Sequence, residues 1–175
     1  MIIWFTGLSG SGKTTFSNSL YTSLKNLGLK NVIWLDGDVL RGTLSKDLGY
    51  DLKSRISQVK RTQRLVKVLD EQGLTVIVSM LYSNPDLLSW NRDNFESYFE
   101  IYIESSIDDL MKRDGKQLYG KAVSGEITDV VGIDIMWQKP LKPDLTVNNG
   151  RYCDIDSITK KITDSIKPKL DLGDI

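Results

Sequence analysis

A three-layer α/β domain, with a central parallel sheet flanked by helices, is predicted from three observations. Short apolar runs alternate with longer amphipathic ones, which is the strand–helix order of such domains. Several of the short runs are nearly continuous in hydrophobicity, as parallel strands covered on both faces are. The first two long helical stretches end next to Gly28 and Gly73, where a chain leaving a helix favours glycine. Taken in order, the strand candidates are residues 2–6, 31–35, 74–79, 98–104 and 145–148, all rich in Ile, Val or aromatic residues. The helix candidates are 14–27, 52–71, 85–95, 106–112, 117–124 and 155–166. Residues 167–175 mix charge, Pro and Gly and are expected to form a loose tail. Ligands of open parallel sheets bind outside the carboxyl ends of the strands, so functional residues are sought just after each apolar run.

The chain has 175 residues, 23 basic and 23 acidic side chains, no histidine and one cysteine, Cys153. That length suits one domain over residues 1–175. Without histidine, Ser–His–Asp and Cys–His hydrolases and zincin-type metal sites are excluded. A lone cysteine forms no intrachain disulfide, so a reducing, cytoplasmic setting is expected. Zero net charge argues against a general nucleic-acid binder. The longest apolar run after the start, residues 75–82, is far below the roughly 20 residues of a membrane span, so no membrane partner is expected.

Directly after the first strand candidate comes Gly7-Leu-Ser-Gly-Ser-Gly-Lys13-Thr14-Thr15. Gly7, Gly12, Lys13 and Thr14 fit the phosphate-loop pattern G-x-x-x-x-G-K-[S/T]. Gly7, Ser9, Gly10, Ser11 and Gly12 let backbone N–H groups converge on phosphate oxygens at the positive end of the next helix. Lys13 reaches toward the β- and γ-phosphates, and the Thr14 hydroxyl suits a Mg²⁺ ion. A flexible Gly-Ser turn is the alternative, and the strand before and helix after disfavour it. A GTPase would need a guanine-reading N-K-x-D element, and the sequence has none. A catalytically dead ATP-binding module would not need the carboxylates that come next.

The second strand candidate runs into Asp36-Gly37-Asp38. Two carboxylates at a strand's carboxyl end, beside a phosphate loop, fit Mg²⁺ binding and proton acceptance from an attacking hydroxyl. The plainer alternative is an Asp-Gly turn into a helix, with Asp38 as N-cap.

The phosphate loop, Leu35-Asp-Gly-Asp38, Arg41 and Lys46-Asp-Leu-Gly-Tyr50 together resemble the adenylylsulfate kinase family. Arg113-Asp114, Lys116-Gln-Leu-Tyr-Gly-Lys-Ala122, Gly125-Glu-Ile127, Gly132-Ile133, Pro140 and Pro143 follow in the family's order. The resemblance implies a P-loop nucleotide-kinase fold with a mobile lid over about residues 113–135. It implies transfer of the γ-phosphate of ATP, with Mg²⁺, to a nucleotide's ribose 3′-hydroxyl. Carried over by position, Asp38 and Lys13 are catalytic, and Thr14 and Asp38 serve the metal. Thr15 belongs to the ATP-binding loop, and Arg113 matches a contact on the ATP side. On the acceptor side stand Asp36 as partner of Asp38, with Arg41, Tyr50, Arg55, Gln58, Lys121, Val130 and Ile133. Related kinases are often dimers; the aromatic stretch 98–102 fits an interface in a homodimer or, more simply, a core strand.

Departures from the family concentrate on the acceptor. Val130 stands where a Phe would stack on the substrate base, while Tyr50 keeps the other ring. Gln58 replaces the usual asparagine, Gly42 a bulkier residue, and Leu81-Tyr-Ser-Asn-Pro85 the family's own stretch after the third strand. A related nucleotide with a different base or end group is therefore expected as acceptor. The family's cytidine diphosphoramidate kinase branch, which serves capsule phosphoramidate synthesis, fits, with adenylylsulfate as the alternative. The charge balance is a sum of opposites. Residues 41–67 carry eight basic and two acidic side chains, and residues 86–109 seven acidic and one basic.

Overall fold

Runs of Ile, Val and aromatic residues become strands where both their faces can be covered. A computed structural model of the chain describes residues 1–114, 117–150 and 154–170. Its strands are β1 (Ile2–Thr6), β2 (Val32–Asp36), β3 (Thr75–Met80), β4 (Tyr98–Glu104) and β5 (Leu145–Asn148). They form one parallel sheet in the order β2-β3-β1-β4-β5. Each agrees with its sequence expectation to within one residue. The helices are α1 (Lys13–Asn26), α2 (Gly37–Leu44), α3 (Leu52–Asp70), α4 (Pro85–Asn94), α5 (Ile107–Lys112), α6 (Leu118–Val123) and α7 (Ile155–Ile166).

The period-2 alternation of side chains divides β1 between two cores. Ile2 and Trp4 face a cluster with Val76, Val78 and the α3 residues Val59 and Val66. Ile3 and Phe5 face the opposite cluster, with Phe16, Leu20 and Leu24 of α1 and Ile162 and Ile166 of α7. Helices therefore cover both faces, giving three layers. In β4, Phe99, Ile101 and Tyr102 are buried within the single chain, so most of the aromatic stretch is core strand. Among the described residues no helix is long and apolar enough to cross a membrane.

Two local expectations are corrected. The N-cap of α2 is Asp36, not Asp38: Asp36 has extended backbone, and its Oδ1 accepts from the amides of Asp38 at 2.9 Å and Val39 at 3.4 Å. The helix thus begins immediately after β2, and Asp38 sits in its first turn. The start of the expected loose tail is ordered, because Lys167–Lys169 form a 3₁₀ turn and Leu170 packs on the α1-side core. Residues 171–175 and Cys153 lie outside the described residues.

Gly37 lets α2 approach β3. A Cβ there would sit 2.8 Å from both the Ser79 carbonyl oxygen and the Met80 sulfur. Gly37→Ala should therefore push α2 off the sheet and cost about 1–3 kcal/mol. Urea denaturation should show the lowered midpoint, and an unchanged midpoint would contradict this packing.

Candidate active site

β1 ends at the centre of the sheet, and the chain turns there through Gly7, Gly10 and Gly12 into α1. All three glycines have positive φ, and a Cβ on Gly7 would come 2.5 Å from the Ile103 carbonyl oxygen. No side chain caps α1, so its amino end is left open toward the loop. Lys13 is buried, and its Nζ donates to the Leu8 carbonyl at 2.7 Å. Burial lowers its pKa from 10.5 to about 8, and the charges of Asp38 and Asp36 pull the other way. A bound phosphate would restore the charge that burial disfavours.

Asp36 is buried, and both its oxygens are engaged. While Oδ1 caps α2, Oδ2 accepts from the Thr14 hydroxyl at 2.8 Å. Asp38, one turn into the open, is exposed and lines a cleft of about 1000 Å³ at the carboxyl ends of the strands. Ser9, Lys13 and Thr14 line it as well. The carboxylate at Asp38 is thus the one offered to a ligand, while Asp36 is committed to the scaffold.

The cleft continues to Arg41, Tyr50, Arg55, Gln58, Lys121 and Val130. The Arg41 and Arg55 guanidinium carbons lie 4.9 and 5.7 Å from the centroid of the Tyr50 ring, whose surroundings leave it 61% exposed. Arg41 donates to the Leu48 and Gly49 carbonyls, and Arg55 Nη2 donates to the Asp129 carbonyl at 2.6 Å. Burial holds both guanidiniums below the ordinary arginine pKa, and at Arg55 the neighbouring Arg41 charge adds to the effect. Two desolvated cations beside one ring make an anion-seeking end of the cleft. Gln58 lines the cleft, yet its amide nitrogen donates to the Gly37 carbonyl at 2.7 Å and so supports α2. Val130 is buried, and presents an aliphatic wall.

Of the phosphate loop only Ser9, Lys13 and Thr14 line this cleft, and Thr15, Ile133 and Arg113 also lie off it. Thr15 is exposed in the first turn of α1, and Ile133 is 36% exposed without lining the cleft. Arg113 is tied to the far side of the phosphate loop, donating to the Asn149 carbonyl at 3.0 Å and to Ser105 Oγ at 3.3 Å. Sequence reasoning missed Asn149, whose side chain donates to the Ser11 carbonyl at 2.7 Å, and Tyr119, whose hydroxyl donates to the Ser9 carbonyl at 2.8 Å. Asn149 follows β5 directly, where the strand-end rule looks. Met80, the last residue of β3, and Tyr82, two residues beyond it, also line the cleft.

A phosphate loop, an opposed carboxylate and a cationic second subsite on this fold define a P-loop phosphotransferase. The family model for adenylylsulphate kinase matches residues 1–148, and the chain belongs to that family. A cytidine diphosphoramidate kinase of Campylobacter jejuni is 45% identical over 149 residues, 85% of this chain and 86% of that protein. An adenylyl-sulfate kinase of Pseudomonas entomophila is 36% identical over 152 residues, 86% of this chain and 73% of that protein. The structure of the Mycobacterium tuberculosis APS kinase in complex with AMPPNP and APS matches with a TM-score of 0.81 and 30% identity, covering 95% of this chain and 96% of that one. The chain is a nucleotide-binding kinase.

The lowered Lys13 pKa has a sign. Between about pH 8 and 10.5 the unfolded chain holds the Lys13 proton more tightly, so this burial costs most below pH 8 and least above 10.5. The melting midpoint of ligand-free Lys13→Met, compared with the parent, should therefore move in the parent's favour as pH rises from 8 to 10.5. A difference that stays constant across that range would contradict the burial of a charged-to-neutral lysine.

Proposed function

We propose that the chain transfers the γ-phosphate of ATP to the ribose 3′-hydroxyl of cytidine diphosphoramidate, as in capsule phosphoramidate biosynthesis. The observation that carries this reading is the 45% identity to a kinase named for that acceptor, against 36% to an adenylyl-sulfate kinase. The acceptor end of the cleft agrees: it is lined by one aromatic ring, Tyr50, and the aliphatic Val130, and Arg41 and Arg55 supply charge for a diphosphate. A smaller pyrimidine needs less stacking surface than a purine.

In the proposed reaction the acceptor's 3′ oxygen attacks the γ-phosphorus in line. The bond from that phosphorus to the β–γ bridging oxygen breaks, and ADP leaves. Asp38 accepts the hydroxyl proton, and Lys13 with the loop amides stabilises charge on the transferring group. The oxygen donors at hand, Thr14 Oγ1 and the Asp38 carboxylate, suit Mg²⁺, which keeps waters and substrate phosphates as its other ligands. Among the described residues no cluster of three or more acidic or Cys side chains could hold a metal by itself, so these two donors would share it with the nucleotide. A Mg²⁺ ion held by Thr14 and Asp38 would supply positive charge for the donor phosphates. The segment around residues 113–135, which lends Lys121 and Val130 to the cleft, would close as a lid and exclude water.

ADP release measured with cytidine diphosphoramidate, adenylylsulfate and CDP ranks the acceptors by kcat/KM. Cytidine diphosphoramidate should lead; a lead for adenylylsulfate would overturn the acceptor assignment in favour of the 36% relative's activity. Asp38→Asn should bind ATP within a few-fold of the parent while transfer falls by about 10²–10⁴-fold. Near-normal turnover in that variant would remove Asp38 from the role of proton acceptor.

A further inference from the structure

Three carbonyls of the phosphate loop are each held by a side chain. Leu8 is held from within, by Lys13 Nζ at 2.7 Å and by the Ser11 amide at 3.2 Å. The other two are held from far along the chain: Ser9 by the Tyr119 hydroxyl at 2.8 Å, and Ser11 by Asn149 Nδ2 at 2.7 Å. In a trans, planar peptide the carbonyl and the following N–H point in opposite directions. Holding the Ser9 carbonyl therefore turns the Gly10 N–H away from Tyr119, and holding the Ser11 carbonyl turns the Gly12 N–H away from Asn149. Glycine is the residue at which such a plane flips most readily, and both peptides end in glycine. Among the described residues none accepts from the Ser9, Gly10 or Gly12 amides.

Both holding side chains are themselves fixed. Tyr119 is buried in the core at the start of α6, with its own amide donating to Asp114 Oδ2 at 2.7 Å. Burial, with the Asp114 charge, raises its hydroxyl pKa to about 12, so it remains a donor across the working range. Asn149 is buried; its amide donates to the Glu104 carbonyl at 2.9 Å, and its carbonyl accepts from Ser105 Oγ and Arg113 Nη2. A Cβ on Gly12 would lie 2.7 Å from Asn149 Nδ2, so the contact requires glycine at that turn.

We propose that Tyr119 and Asn149 are positioning residues for the phosphoryl donor: they set the peptide planes that aim the Gly10 and Gly12 amides at its phosphates. The proposal rests on the reading that this loop takes the phosphates of ATP. Because Tyr119 belongs to the segment around residues 113–135, the placement of that segment becomes part of the donor site's geometry.

Calorimetric titration of MgATP and of inorganic tripolyphosphate, without any acceptor, tests this on the parent, Tyr119→Phe and Asn149→Ala. Tyr119→Phe keeps the ring and its packing and deletes one hydroxyl. Each variant should bind both ligands about three- to ten-fold more weakly, the worth of one oriented hydrogen bond. Affinity unchanged in a variant overturns the assignment for that residue, whatever its melting midpoint does. Weaker ATP with unchanged tripolyphosphate also overturns it, because the effect would then lie on the nucleoside. A parent chain that binds neither ligand would instead overturn the functional reading beneath the proposal.

Discussion

The Asp36 carboxylate joins the two halves of the site. Its Oδ2 accepts from Thr14 at the start of α1, and its Oδ1 accepts from the amides that begin α2. The position of Asp38 therefore follows from the same group that fixes Thr14, and Arg41, one turn further along α2, follows with it. A buried carboxylate is costly unless its oxygens are satisfied, and here each oxygen has a donor. Gln58 extends the linkage by bonding the Gly37 carbonyl from α3, the helix that also carries Arg55. Donor loop, exposed carboxylate and cationic subsite are thus parts of one hydrogen-bonded frame.

Electrostatics divide the labour within the cleft. The basic surplus of residues 41–67 is not spread evenly, since Arg41, Lys46 and Arg55 line the cleft while Arg61 pairs with Asp47 in the open at 2.6 Å. Exposed pairs of that kind contribute little to stability. The cations of the cleft matter more, because the buried Lys13 and the half-buried Arg41 and Arg55 are all partly desolvated before a ligand arrives. Each is held meanwhile on backbone carbonyls or on the Tyr50 ring. Pairing with an anionic group would offset that desolvation more fully than neutral carbonyls do.

The strands and the phosphate loop were legible because local rules dictate them: continuous apolar runs need cover on both faces, and the G-x-x-x-x-G-K-[S/T] spacing serves one geometry. The start of α2 was less legible. In Asp-Gly-Asp either carboxylate can cap a helix, and the Asp38 amide donating to Asp36 Oδ1 makes Asp36, not Asp38, the cap. Tyr119 and Asn149 were illegible for a different reason. Their partners lie 110 and 138 residues away, and although Asn149 stands at a strand end and Tyr119 within the 116–122 stretch, neither position says which carbonyl its side chain reaches. Ile133 and Val130 are three residues apart, yet only Val130 lines the cleft; the amides of Asp129 and Val130 donate to the Asp134 carboxylate and curl the segment between them.

In the proposed reaction the acceptor's ribose hydroxyl, brought beside the exposed Asp38, receives the phosphate. The product formed by the unmodified chain from ATP and cytidine diphosphoramidate tests this by phosphorus–proton correlation spectroscopy. A new phosphomonoester resonance coupled to the ribose H3′ is the result the account predicts. A new phosphoanhydride at the end of the chain, or free orthophosphate with the acceptor unchanged, would contradict it.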